Sequence, residues 1–89
     1  MVKRVFKISN KLGIHARPAS QLVRIASKYK SQIHISKNGN EVNGKSIMGV
    51  LMLEAGFGSE ILLKIDGEDE SAAIEALTEL IQVRHFDEE

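Results

Sequence analysis

Apolar and polar positions change period several times along this chain, and each change marks an element. Val2, Arg4, Phe6 and Ile8 alternate with Lys3, Val5 and Lys7, the period-two pattern of a strand with one buried face. After a connection over residues 9–13 the period lengthens. From about residue 16 to 28, Ala19, Leu22, Val23 and Ala26 form one apolar stripe of a helix, and Arg17, Ser20, Arg24 and Ser27 lie on the opposite side. Residues 32–37 alternate again, with Ile33 and Ile35 inward and His34 outward. Asn38-Gly39 tolerates positive φ at both positions, so it predicts a two-residue hairpin turn into a short strand at 41–43.

Ser46 then stands before the apolar run Ile47-Met48-Gly49-Val50-Leu51-Met52-Leu53. Strand and helix are both compatible with such a run. Ser46 is a good N-cap and Leu and Met are good helix formers, so a short helix is favoured, although Gly49 costs about 1 kcal/mol relative to alanine. Residues 56–58 read as a loop, and residues 60–66 as a strand with Ile61, Leu63 and Ile65 on one face. Residues 69–83 read as a helix with Ala73, Ile74, Leu77, Leu80 and Ile81 as its core stripe. Residues 85–89 read as a loose tail. The order is β-α-β-β-α-β-α. Four strands that are each apolar on one face want helices on that face alone, which predicts an α+β open-faced β-sandwich.

Size sharpens this picture. Eighty-nine residues make a single domain (1–89) with one thin core, built from Ile, Leu, Val, Ala and Met because aromatic residues are few. A run as long as 47–53 cannot face such a core entirely. Some of Ile47, Met48, Leu51 and Met52 must be exposed, and an exposed apolar patch marks a docking surface. Twelve basic residues balance twelve acidic ones, which leaves no electrostatic footprint for nucleic acid. The absence of cysteine excludes disulfides and thiolate metal sites. With neither a signal-peptide pattern nor a membrane span, the expected location is cytoplasmic.

The candidate chemistry lies in Gly13-Ile14-His15-Ala16-Arg17-Pro18-Ala19-Ser20. Pro18 suits a first helical turn, where backbone N–H groups have no intrahelical partner. Those free groups and the helix dipole favour an anion. Arg17 adds a fixed charge with fork geometry for phosphate oxygens. His15 offers a nucleophilic nitrogen beside them, and the dipole and Arg17 both favour its neutral form. No other His, Asp or Glu stands at ligand or triad spacing from His15, which argues against a metal site or a hydrolase. His34 and His85 read as surface residues.

The His15 motif, together with Lys45-Ser46-Ile47-Met48-Gly49-Val50, closely resembles the two signature segments of HPr, the histidine-containing phosphocarrier family of the bacterial phosphotransferase system. The similarity runs over nearly the whole chain. It implies a four-stranded antiparallel sheet of order 1-4-2-3 with three helices on one face. It implies that His15 accepts a phosphoryl group from phosphorylated enzyme I, charged by phosphoenolpyruvate, and passes it to acceptor domains in sugar uptake. On this resemblance Arg17 and the helix start at Ala16 stabilise the phosphohistidine. Ser20, Arg24, Ile47, Met48 and Leu51 match the docking surface, and Ser46 matches the site of a regulatory kinase. The implied protein is a monomeric carrier rather than a stand-alone enzyme, and it needs no cofactor and no metal. Its partners are enzyme I, acceptor domains, a serine kinase/phosphorylase and a transcription regulator. Residues 51–54 and the ending 86–89 look more like the nitrogen-branch paralogue, which leaves two pathways open. A module that regulates partners through its phosphorylation state is the alternative function. A small-molecule-binding domain is a third, without a pocket-forming polar cluster in its support.

Overall fold

A computed structural model describes residues 1–88 of the chain. The elements are β1 (Val2–Lys7), α1 (Ala16–Ala26), β2 (Gln32–Lys37), β3 (Asn40–Asn43), α2 (Ile47–Met52), β4 (Glu60–Asp66) and α3 (Glu70–Thr78). A π-helical turn over Glu79–Val83 and a 3₁₀ turn over His85–Asp87 follow α3. The strands form one antiparallel sheet of order β1-β4-β2-β3. The α+β open-faced sandwich and its 1-4-2-3 order are therefore as expected.

The register explains the alternation in the sequence. Phe6 pairs with Ile61, Ile35 with Leu63, and Ile33 with Ile65, so these side chains share the face beneath the helices. All six are essentially inaccessible to solvent. Arg4 pairs with Leu63 on the same face but at the edge strand. There its guanidinium escapes burial and donates to the Thr78 hydroxyl of α3 at 2.8 Å. The other face carries Val5, Leu62 and Ser36 in one row and Lys3, Lys64 and His34 in the next. Val5 is left exposed, and Lys64 reaches Glu41 at 2.8 Å.

The helices cover the apolar face with Ala19, Leu22 and Ala26 from α1, Val50 from α2, and Ala73, Ile74 and Leu77 from α3. Val23, placed on the α1 core stripe by the sequence, is only half-buried at its margin. The hairpin turn has φ 51° at Asn38 and 85° at Gly39, as the Asn-Gly pair requires. Ser46 caps α2, its hydroxyl accepting the Gly49 N–H at 3.1 Å. Asp69 precedes α3 and turns away from it to accept the Lys30 and Ser31 N–H groups at 2.8 and 3.0 Å. Its carboxyl lies below the usual carboxylate range, first because the Ser31 hydroxyl donates to it and then because the Lys30 amide does.

The C-terminal segment departs from the sequence expectation. Residues 85–88 are not a loose tail, while Glu89 lies outside the described residues. Phe86 is 1% exposed and belongs to the core. His85, Phe86 and Asp87 hold φ of 48°, 56° and 57°, left-handed values that cost bulky residues about 1 kcal/mol or more each. Burial of an aromatic ring contributes more than one such cost, and hydrogen bonds from Asp87 N–H to Arg84 and from Glu88 N–H to His85 complete the turn. The helices also end earlier than the sequence patterns suggest. The first stops at Ala26 instead of residue 28, and the last passes at Glu79 into the π turn, where the Arg84 N–H reaches the Glu79 carbonyl at 2.9 Å.

If the ending is part of the core, Phe86→Ala should destabilise the fold by about 3 kcal/mol, as for other aromatic deletions from cores. Urea unfolding measures this. An unchanged midpoint would return residues 85–88 to the status of a tail.

Candidate functional site

The site starts where β1 hands over to α1, in a connection closed by glycine. Gly13 has φ 68°, and a Cβ there would lie 2.4 Å from the Ala55 carbonyl oxygen and 2.6 Å from Gly56 Cα. Only glycine allows that approach. The Ile14 N–H then donates to the Ala55 carbonyl at 2.8 Å, and the Gly13 N–H to the Asn10 carbonyl at 3.0 Å. The loop is thus fixed to the segment between α2 and β4.

His15 is the N-cap residue of α1, with extended backbone and no hydrogen bond from its side chain to the first turn. Its carbonyl accepts the Ala19 N–H at 2.9 Å, and Pro18 is buried within the first turn. The imidazole is thereby spared the capping role and stands at the surface, its side chain 36% exposed. Arg17 is exposed on the same turn. Together with Ala16, Ser20, Gln21 and Arg24 it lines an open depression of about 460 Å³ along the outer side of α1. Of the residues that the sequence placed opposite the apolar stripe, Arg17, Ser20 and Arg24 line this depression and Ser27 does not.

Sequence spacing missed Glu88, which meets the imidazole from the far end of the described residues, and Asn10, which holds Glu88. The Glu88 carboxylate lies 3.0 and 3.3 Å from His15 Nε2, across 73 positions of the chain. Asn10, only 2% exposed, donates its side-chain amide to Glu88 Oε1 at 3.1 Å and to the Gly13 carbonyl at 2.6 Å. The absence of a nearby carboxylate in sequence was thus no guide to the folded site. The signals available were the Phe86 anchor and the acidic ending after it. Next to Glu88, the Asp87 carboxyl is held below the usual range, chiefly by its hydrogen bond from Arg84, with a smaller contribution from the charge of Arg17. Gln21 reaches the same carboxylate at 3.5 Å.

The second motif lies on α2, which packs against α1. Ser46 is half-buried in its capping position. Ile47, Met48 and Met52 are 43%, 69% and 74% exposed, and Leu51 is partly buried against the core. Leu12 and Phe57, 75% and 68% exposed, add to the apolar surface on the two loops that meet at Gly13. Among the described residues no cluster of His, Asp and Glu could hold a metal ion, and no helix is long and apolar enough to cross a membrane. His34 lies on the open sheet face, and His85 Nδ1 is 2.8 Å from the Ser9 hydroxyl.

Comparison with known proteins places this geometry. A family profile described as the PTS HPr component phosphorylation site matches residues 2–83. The phosphocarrier protein HPr of Neisseria meningitidis serogroup A is 49% identical over 81 residues, 91% of each chain. That of Cupriavidus necator is 49% identical over 84 residues, 94% of each chain. The crystal structure of HPr-C-His from Thermoanaerobacter tengcongensis superposes with a TM-score of 0.95 at 45% identity, covering 100% of this chain and 99% of the other.

The close approach at Gly13 makes its own prediction. Gly13→Ala should lose more than about 1 kcal/mol of stability, since the left-handed φ and the backbone contact both oppose a Cβ. Chemical denaturation gives the value, and a midpoint equal to wild type would mean that this loop is not packed on residues 55–56.

Proposed function

This chain belongs to the HPr family of phosphocarriers, and from that premise we propose that His15 is the residue that carries the phosphoryl group. Phosphorylated enzyme I, itself charged by phosphoenolpyruvate, is the donor, and acceptor domains of sugar uptake take the group on. The observation that carries this reading is a half-exposed imidazole at an uncapped helix start, with Arg17 in the first turn beside it. A phosphoryl group on that ring would meet the positive end of the helix and a guanidinium, both favourable to a dianion. Neither is buried, so the stabilisation is modest and the group can leave again.

The depression lined by Ala16, Arg17, Ser20 and Arg24, together with Ile47, Met48 and Leu51, serves as the docking surface. Basic side chains beside exposed methionines suit a partner with an acidic rim and an apolar centre. Residues 51–54 and the chain ending look more like the nitrogen branch in the sequence, which is the alternative pathway for the same carrier. Phe86 and Glu88 in that ending also make structural contacts of their own, with the core and with Asn10 and His15.

Ser46 supplies regulation in this reading. A phosphate there replaces the hydroxyl that now accepts the Gly49 N–H and adds about two negative charges to the docking surface. The effect is repulsion of an acidic partner, with little change of shape.

Incubation with enzyme I and phosphoenolpyruvate should add one acid-labile phosphoryl group to the wild type and none to His15→Ala, as read by intact mass. No addition with the enzyme I of either branch would leave the regulatory interaction module as the better reading. Ser46→Asp should slow transfer about tenfold or more, equivalent to about 1.4 kcal/mol, without lowering the unfolding midpoint. Equal transfer rates would remove Ser46 from the mechanism.

A further inference from the structure

We propose that Glu88 is a positioning residue for phosphoryl transfer: its carboxylate holds the ring proton of His15 on Nε2 and so presents Nδ1 as the attacking atom. This rests on the reading of His15 as the carrier. Nε2 is the ring nitrogen that faces the carboxylate, at 3.0 Å. A carboxylate accepts hydrogen bonds and cannot donate one, so the contact favours the tautomer with its proton on Nε2.

The contact is built into the fold and differs from a surface ion pair between two mobile side chains. Glu88 is 18% exposed at its side chain. Its other oxygen is held by the buried amide of Asn10, which with its remaining contact holds the Gly13 carbonyl of the loop that carries His15. Two residues before Glu88, Phe86 is sunk in the core. One buried amide therefore fixes both the carboxylate and the loop of the histidine it addresses. A partner on one nitrogen that orients a ring and sets its tautomer is the general way in which an imidazole is prepared for work at the other.

The transfer balances with the proton in place. The Nδ1 lone pair forms the new N–P bond, and the bond from phosphorus to the donor breaks, its electron pair leaving with the donor. Nε2 keeps its proton throughout, so the product is a phosphorylated imidazolium whose positive charge faces the carboxylate. On transfer to an acceptor the N–P bond breaks and its pair returns to Nδ1, restoring the neutral ring. The leaving group is then neutral imidazole and not imidazolate, which keeps the phosphoryl group labile. The two ring nitrogens point in different directions, so the carboxylate addresses one of them without standing in line with attack at the other.

Nitrogen-15 spectra of the histidine rings in the unphosphorylated protein test the contact directly, alongside rates of phosphoryl uptake from enzyme I and phosphoenolpyruvate. In wild type, His15 should be protonated at Nε2 and bare at Nδ1. Glu88→Ala should mix the tautomers and slow uptake about tenfold, the loss typical when such an outer partner is removed. Glu88→Gln, whose amide oxygen still accepts the proton but carries no charge, should keep the tautomer and fall between the two in rate. It also covers the case in which the alanine variant disturbs the chain ending. Unchanged ring spectra or a wild-type rate in Glu88→Ala would overturn the proposal, as would phosphorus bonded to Nε2 in the wild type. A wild-type protein that takes up no phosphoryl group would overturn the carrier reading instead, and the unphosphorylated spectra would still decide the Glu88 contact.

Discussion

The pairing of β1 with β4 does not stop where the strands do, and the site depends on that continuation. Beyond the last paired residues, Lys7 and Glu60, the Ile8 N–H donates to the Ser59 carbonyl and the Gly58 N–H to the Ile8 carbonyl, at 2.8 and 2.7 Å. The Ile14 N–H closes the far end of the loop on the Ala55 carbonyl. The loop before the first helix and the loop before the last strand thus form one backbone-bonded unit. Buried backbone groups must be paired, so this arrangement can close only where a glycine lets the two chains meet. Gly13 is that residue. Where α1 begins, and so where His15 sits, follows from it.

A one-sided sheet in a short chain gives a core with little depth, and the ending of the chain completes it. Phe86 is one of two fully buried phenylalanines, and the other, Phe6, lies on the edge strand. The turn that inserts Phe86 requires three consecutive left-handed residues, a conformation that no local preference would select. Core packing imposes it. The same insertion brings Asp87 within reach of Gln21 on α1 and Glu88 against His15, so a device that completes the hydrophobic core also delivers a carboxylate to the histidine. Stability and the electrostatics of the site are coupled through residues 85–88.

This coupling separates what the sequence could show from what it could not. Alternation placed Phe6, Ile33, Ile35, Ile61, Leu63 and Ile65 on the buried face because a sheet with one covered side writes its period into every strand. Asn38-Gly39 and Ser46 were legible because turn and cap chemistry is local. His15, Arg17 and Pro18 were legible because a helix start has a signature within one turn. Asn10 and Glu88 escaped because their roles are set by contacts across more than seventy positions, and Phe86 because its burial is set by the folded core. A single aromatic after the last helix has no period to read. Arg4 shows the converse: the pattern put it inward, and an edge strand made that tolerable by letting its guanidinium reach Thr78.

A carrier must hold its group and give it up, and with His15 as the proposed carrying residue both demands fall on the same few atoms. Deep burial of Arg17 beside His15 would strengthen its attraction for a phosphoryl dianion several-fold, because charge interactions grow as the surroundings become less polar. It would also make the phosphorylated state a trap. In this chain Arg17 and Arg24 stay in solvent along an open depression, and the uncapped helix start supplies only partial charges. The stronger, more rigid contact, from Glu88, is directed at the ring and not at the phosphoryl group. An arrangement of that kind orients the nucleophile without lowering the energy of the product by much. On the proposed reading, the attraction missing from the free protein is left for the partner to provide, in a complex where water is expelled from the proposed docking surface and each of these charges counts for more.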